Sequence, residues 1–393
     1  MKIVQINATC SSGSTGKIAL AVSRLLSEDG LENYILYSQG QNGGENTVRY
    51  MRERDIKVQA LFSRLLGNYG FNSRAATKRV IKELEKIKPD VVHLHNLHSH
   101  DLHMGMLFRY FKENKTKLYW TFHDCWAFTA YCPYFDLAAC DKWKSGCRNC
   151  PQKKQYSWFF DRSRSLYQRK KELFSGLDLT IITPSVWLAD LVSQSFLAGY
   201  PVKVINNGID LAVFQPKESD FRKKYNIEDR FVILGVAFGW GKRKGLDVFK
   251  TLAERLDERF QIVLVGTNDE IDKTLPQNII SIHRTENQTE LAAIYTAADL
   301  FVNPTREENY PTVNMESLAC GTPVLTFRTG GSPEILDDSC GRVVDTGDVE
   351  QLYREILWIE KERPFTREAC LVRAESFDAK KRFEEYRNLY SEF

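Results

Sequence analysis

No stretch of this chain reaches the roughly 18 consecutive apolar residues that a membrane-spanning helix needs, and its opening MKIVQINATC is too short and too polar for a secretory leader. Both absences favour a soluble, cytosolic chain. Charge of one sign is scarce as well: 54 Lys and Arg face 51 Asp and Glu, a net of +3. That balance points to no polyanionic partner, and no nucleic acid is expected. A nucleotide-triphosphate loop is also missing. SSGSTGK comes near it, but Gly13 and Gly16 have two residues between them where that loop has four, and Ile18 rather than Ser or Thr follows Lys17. What remains is ordinary in composition, 43% apolar and 27% charged, which excludes a disordered chain.

At 393 residues the chain exceeds one ordinary core, so two domains are expected. Short β-branched runs alternate with amphipathic stretches: KIVQINA before TGKIALAVSRLL, DVVHLHN before LHMGMLFRYFKEN, then LYWTFHD, and LTIITPS before VWLADLVSQSFLAG. Strands apolar on both faces, set between helices, predict a parallel sheet covered on both sides. VKVINNGIDLAVFQPKESDF carries Asn-Asn-Gly and a Pro, which read as turn and linker. The alternation then restarts with RFVILGVAF, FQIVLVG, IISIHRT, LFVNPT and PVLTFR. The expected fold is α/β, two doubly wound Rossmann-like domains in tandem. They span residues 1–205 and 206–375, with 376–393 a C-terminal helix returning to the first. Such sheets bind ligands beyond the carboxyl ends of their strands, so a shared ligand is expected in a cleft between the domains.

The stretch EENYPTVNME places two acids, Glu308 and Glu316, eight positions apart. LFVNPT reads as a strand and REEN as a loop, with a helix that Pro311 opens and Gly321 stops. Eight helical residues turn about 80° past two full turns, so the acids bracket a ligand-sized gap rather than share a face. Between them, the first-turn amides of Thr312 and Val313 suit a phosphate. On spacing alone, a loop acid at a helix N-terminus and a solvated helix acid remain the plainer account.

The longer run NPTREENYPTVNMESLACGTPVLTFRTGGSPEI resembles the donor-nucleotide signature of family-4 retaining glycosyltransferases of GT-B fold. SSGSTGKIA, HLHNLHSH, TFHDCWAFTAYC, TPSVWL, NNGID and KRKGLD extend the likeness over most of the chain. It is strongest to enzymes that build bacterial capsular, exopolysaccharide or colanic-acid-type glycans. The resemblance implies a hexosyltransferase-type enzyme that moves a sugar from a nucleoside-diphosphate sugar to a saccharide or lipid-linked oligosaccharide. It further implies that Glu308 contacts the donor sugar and Glu316 the ribose. Asn309, Tyr310, Thr312 and Val313 would then meet the diphosphate and sugar, and Lys244 would face the diphosphate as a point cation. The family's Arg five residues before that lysine is here Gly239, so Lys242, Arg243 or Arg306 is expected to supply the second cation.

From the first domain, His123 matches the family histidine that meets the donor sugar, and Asp124 would orient it or contact the acceptor. Gly13 and Gly16 read as a flexible loop that lets backbone amides approach donor phosphate or acceptor. No Asp-x-Asp triplet occurs, so no catalytic divalent metal is expected, and helix dipole and Lys244 take the leaving group's charge. The alternatives are a nucleotide-sugar epimerase or phosphorylase of the same fold, or a non-enzymatic zinc-containing glycan- or nucleic-acid-binding protein.

Three further clusters stand out. HLHNLHSHDLH holds five of the seven histidines. His95, Asn96 and His98 are candidate acceptor contacts, with a metal on His93 and His95 the other reading. Cys132, Cys140, Cys147 and Cys150 lie in an insertion at about 125–155 where a small loop would struggle to fold by core burial alone. They read as a structural zinc site, a redox or disulfide pair, or free thiols. Beside them Lys142, Lys144, Arg148, Lys153, Lys154, Arg162, Arg164, Arg169, Lys170 and Lys171 surround Trp158, Phe159 and Phe160. That segment suits an inner-leaflet membrane surface, equally a solvated helix face, and as a third reading a nucleic acid.

Overall fold

A computed structural model of the chain describes residues 1–391 and divides it into two compact units. The first unit joins Met1–Ile205 to the C-terminal segment from Phe383, and the second is Asn206–Arg382. The first contains seven strands: β1 (Lys2–Cys10), β2 (Glu32–Gly40), β3 (Thr47–Arg49), β4 (Val91–Leu94), β5 (Lys117–Thr121), β6 (Leu179–Thr183) and β7 (Val202–Val204). They form one sheet in the order β3-β2-β1-β4-β5-β6-β7, with every pair parallel.

The period of two in these strands sorts their side chains onto two faces. Val4, Ile6, Val92, Leu94 and Trp120 enter one core with Phe108 and Phe174. Ile3, Val91, Tyr119 and Ile182 enter the other, beneath Val22 and Leu26 of helix Gly13–Glu28 and beneath Tyr386, Leu389 and Tyr390. The last three belong to helix Ala379–Ser391, which is tied to the sheet because Tyr119 donates to the Leu389 carbonyl at 3.1 Å and Tyr390 hydrogen-bonds His93.

The second unit holds β8 (Phe231–Val236), β9 (Phe260–Val265), β10 (Ile279–Ile282), β11 (Leu300–Asn303), β12 (Val324–Phe327) and β13 (Gly341–Val344). Its all-parallel sheet runs β10-β9-β8-β11-β12-β13. Its alternation is as strict: Val232, Leu234, Val263 and Phe301 face one core, and Ile233, Ile262, Leu264 and Leu300 the other. Asn-Asn-Gly acts here as a crossing. A Cβ on Gly208 would lie 2.5 Å from the Ala379 Cα, so only glycine lets Ile209 exchange backbone bonds with Phe377 and Ala379 at 2.8 and 2.9 Å.

In each sheet the strand order reverses direction once, between β1 and β4 and between β8 and β11. Ligands of doubly wound sheets collect at that point because the loops there diverge to opposite faces and leave a crevice. The loops concerned are Ser11–Ser12 with His95–His103 in the first unit, and Ala237–Gly241 with Pro304–Pro311 in the second. Among the described residues no helix is long and apolar enough to cross a membrane.

The cysteine-bearing insertion differs from expectation. It joins the first unit's main core through aromatic side chains: Phe128, Tyr131, Phe135 and Trp143 are all buried in one cluster with Phe108 and Trp120, and the Phe135 and Trp143 rings stack at 5.0 Å. Large aromatics bury enough area to compensate for the shortness of the segment. Lys170, expected on the basic surface, is fully buried there. Its Nζ donates to the Trp126 and Thr129 carbonyls at 2.7 and 3.1 Å and lies 3.3 Å from the Trp126 ring centre. Burial holds its pKa well below the ordinary lysine range.

Candidate active site

In the second unit the switch-point loops are locked together through backbone. The turn Lys242–Lys244 ends at Gly245, where φ is +75° and a Cβ would lie 2.5 Å from the Pro304 carbonyl oxygen, so no side chain fits. Arg306 N–H donates to the Arg243 carbonyl at 2.8 Å, and the Arg243 guanidinium reaches the Glu307 carbonyl at 3.3 Å. This scaffold brings Lys244 Nζ onto Glu308 Oε2 in a mostly buried ion pair, while Glu308 Oε1 accepts the Asn309 amide at 3.1 Å. Arg306 is not available as a second cation. It makes a bidentate pair with Asp247, both contacts 2.8 Å, and a bond to the Lys242 carbonyl at 2.6 Å. Gly239 has φ +78°, and a Cβ there would meet nothing within 4 Å. Its glycine therefore answers to backbone conformation rather than to space.

Helix Thr312–Ala319 follows, with Pro311 at its N-cap. As first-turn residues Thr312 and Val313 have no acceptor inside the helix, which leaves their amides to an acceptor ahead of it. Glu316 lies further along the helix, half-buried, where Tyr295 donates to its Oε2 at 3.3 Å. Asn309 and Tyr310, expected beside the diphosphate, are both buried, 4% and 5% exposed. Tyr310 packs its side chain into the core, with burial raising its pKa, rather than toward a ligand. Gly330 was missed as a determinant of this geometry. A Cβ there would fall 1.9 Å from the Glu308 carbonyl, and the next residue's amide bonds the Asn309 carbonyl at 2.6 Å. The Thr-Gly-Gly run was the available signal.

In the first unit the carboxyl ends of β4 and β5 carry one small pocket lined by His95, Asn96, His98, His123 and Asp124. Their orientation starts at β1. Gln5 Nε2 donates to the Ala19 carbonyl at 3.0 Å, turning its oxygen to His95 Nε2, also 3.0 Å away. His95 therefore carries its proton on Nε2, and its Nδ1 accepts from His123 Nε2 at 3.3 Å. That fixes the tautomer of His123, with the lone pair on Nδ1. Burial keeps both rings neutral, His95 well below its ordinary pKa and His123 down to about 4. Asp124 is drawn to His98 instead, 2.8 Å from its Nε2, and it accepts the Trp126 amide at 2.8 Å. Burial opposes charge on both partners, yet their attraction prevails, raising His98 and lowering Asp124. Asn7, fully buried, accepts the Asn96 amide at 3.2 Å. Gln5 and Asn7, two polar residues in an apolar central strand, were legible as buried polar groups and were overlooked.

Gly13 and Gly16 do not form a flexible loop. The helix begins at Gly13, and Gly16 is a buried helical residue whose Cβ would meet Thr9 Oγ1 at 2.9 Å. His93 is turned away from the pocket, bonded to Thr121 Oγ1 at 2.8 Å and to Tyr390, with its pKa lowered to about 3 by burial.

The four cysteines of the insertion line one apolar pocket with Trp143 and are not disulfide-bonded. Four thiols are a donor set that suits zinc, whose tetrahedral bonds place sulfurs about 3.8 Å apart. Among the described residues, however, the one trio of His, Cys, Asp or Glu ligand atoms gathered within 4.8 Å is Asp269, Asp272 and His283. The sulfurs are thus gathered more loosely than a zinc would hold them.

Two doubly wound parallel domains, with a Lys–Glu pair ahead of a helix N-terminus in the second, are the arrangement of a GT-B glycosyltransferase. The pattern described as Glycosyltransferase Family 4 matches residues 15–213, and that described as Glycosyl transferases group 1 matches residues 228–362. The chain belongs to glycosyltransferase family 4. It is 27% identical over 377 residues to the putative colanic acid biosynthesis glycosyl transferase WcaC of Escherichia coli, covering 90% of this chain and 89% of that one. Among solved structures, sucrose-phosphate synthase from Thermosynechococcus elongatus superimposes with a TM-score of 0.73 at 17% identity, covering 100% of this chain and 98% of that one. The Anabaena protein HepE, in complex with UDP-glucose, gives 0.71 at 12% identity with full coverage of both chains.

Proposed function

We propose that this enzyme moves a sugar, with retention of anomeric configuration, from a nucleoside-diphosphate sugar to a saccharide or lipid-linked oligosaccharide in the assembly of a bacterial surface polysaccharide. It would act in the cytoplasm, without a nucleic-acid partner. The observation that carries this reading is the Lys244–Glu308 pair set directly before the first turn of helix Thr312–Ala319. A donor diphosphate in front of that turn meets a cation and a positive dipole end together, which stabilise charge as the sugar–phosphate bond breaks. Glu308 then faces the sugar hydroxyls and Glu316 the ribose. Arg243 is the remaining candidate for a second cation. In the first unit His123 presents a neutral ring, held by His95, whose two ring nitrogens are both engaged, and Asn96, His98 and Asp124 offer polar contacts to an acceptor.

The bond from the anomeric carbon to the phosphate oxygen breaks and a bond to the acceptor oxygen forms on the same face. The acceptor proton passes to the departing phosphate, so no protein base and no catalytic divalent ion is required. The resemblance to WcaC supports the polysaccharide context, and the fold shared with a UDP-glucose complex supports the donor class.

The test is a panel of nucleotide sugars assayed for binding and for slow hydrolysis, with Glu316→Ala as control and a chelator in one arm. One donor should bind, Glu316→Ala should weaken it at least tenfold by removing hydrogen bonds to a charged group, and chelation should leave turnover unchanged. Binding indifferent to Glu316→Ala would show the donor site to be misplaced. Turnover of donor alone to an epimer would replace transfer by epimerisation.

A further inference from the structure

Large apolar side chains exposed one at a time are ordinary on a soluble surface. Here seven of the thirteen such residues among those described fall in one place on the first unit. Helix Glu53–Leu66 carries four of them, Val58, Leu61, Phe62 and Leu66, each between 42% and 49% exposed. Their spacing of three and four sets them on one side of the helix, while the opposite side, with Ile56 and Ser63, is the buried one. The apolar stripe of this helix therefore points outward.

Trp158, Phe159 and Phe160 are the other three, 48% to 64% exposed. They belong to the same surface, because the Trp158 amide donates to the Arg64 carbonyl at 2.9 Å. Gly67, the left-handed cap of the helix, also packs so closely that a Cβ would lie 3.1 Å from the Phe160 carbonyl.

Cations accompany this patch. Arg54, Lys57 and Arg64 rise from the helix, and Lys154, Arg162 and Arg164 from beside the aromatic loop, all exposed. The acids among them are occupied: Glu53 pairs with Arg49 at 3.0 Å, Asp55 with Arg54 at 3.6 Å, and Asp161 accepts the Cys150 and Ser163 amides at 2.7 and 2.9 Å. A second copy of the chain would bring like charge against these cations. A nucleic acid would use the cations and leave the stripe in water. A bilayer with anionic headgroups uses both, since the apolar side chains enter the acyl boundary while the cations stay among the phosphates.

We propose that helix Glu53–Leu66 and the loop Trp158–Phe160 form one docking surface for an anionic lipid bilayer. It deepens the reading of a lipid-linked acceptor and rests on that reading for its purpose, because such an acceptor is reached in the plane of a membrane. The experiment is co-sedimentation of the full chain with vesicles of phosphatidylcholine containing phosphatidylglycerol, against pure phosphatidylcholine, at low and raised salt. Binding should require phosphatidylglycerol, weaken with salt, and shift the Trp158 emission to the blue, a shift that Trp158→Phe removes. Leu61→Ser with Phe62→Ser, and Phe159→Ser with Phe160→Ser, should each lower binding roughly tenfold or more. These side chains are exposed, so both variants should keep the parent melting temperature and the parent donor affinity. Binding that ignores phosphatidylglycerol, or survives both pairs of substitutions, overturns the proposal. A parent dimer that either pair converts to monomer also overturns it, marking the patch as a self-interface. Loss of donor binding with vesicle binding intact would instead defeat the transferase reading and leave the surface standing.

Discussion

Lys244 and Glu308 stand 64 positions apart and meet because Gly245 and Gly330 allow backbone contacts that no other residue permits. Their pairing has an energetic signature distinct from catalysis. Removing one member leaves the other charge largely desolvated, a loss of roughly 1–3 kcal/mol, while removing both leaves none. Lys244→Met should therefore lower stability in urea by about that amount, and Lys244→Met with Glu308→Gln should recover most of it. Both should lose transfer by roughly 100-fold or more. Additive losses of stability in the double variant would mean the pair is not the unit described. The motifs made these two residues legible. Glycine at 330 is marked only by the Thr-Gly-Gly run, since its reason is a carbonyl 22 positions earlier that the folded chain brings within 1.9 Å of where a Cβ would stand.

Among the elements, long apolar runs such as FVILGV and FQIVLV were readable as strands because burial on both faces leaves little room for polar residues. β2, ENYILYSQG, escaped that reading: Asn33 and Ser38 are polar yet buried, satisfied by Ser27 and Asp101, which sequence distance hides. Helix Glu53–Leu66 would mislead any argument from periodicity, since its apolar side faces out. The cysteine insertion is legible by its spacing, but the aromatic packing that joins it to the first unit's core is not. We propose that its four thiols draw in around one structural zinc. Elemental analysis of the purified chain should then find about one zinc per chain, and Cys147→Ser should lose it and melt lower. Metal-free protein with four freely reactive thiols would sink the idea.

Acid should weaken the molecule as a whole. His93, His95 and His123 are held neutral by burial, with folded values of about 3 for His93 and about 4 for His123. The unfolded chain takes up protons near pH 6.5, well above those values, so their contribution is complete above about 6.5 and is lost as pH falls through the folded values. Each contributes a slope of roughly 1 kcal/mol per pH unit. His98, raised by Asp124, and Asp101, raised by burial, oppose them. The net expectation is a melting temperature that declines from pH 7 to pH 5, and a flat or rising profile would contradict it.

One of those histidines also bears on the order in which the protein is made. His93 is capped by Tyr390, 297 positions later, on the helix that seals one face of the first unit's sheet. During synthesis that face leaves the ribosome early, and the part not covered by helix Gly13–Glu28 stays open until the second unit has followed it. The first unit begins first and finishes last, so the nascent chain must keep an incomplete sheet out of trouble while a second one is built.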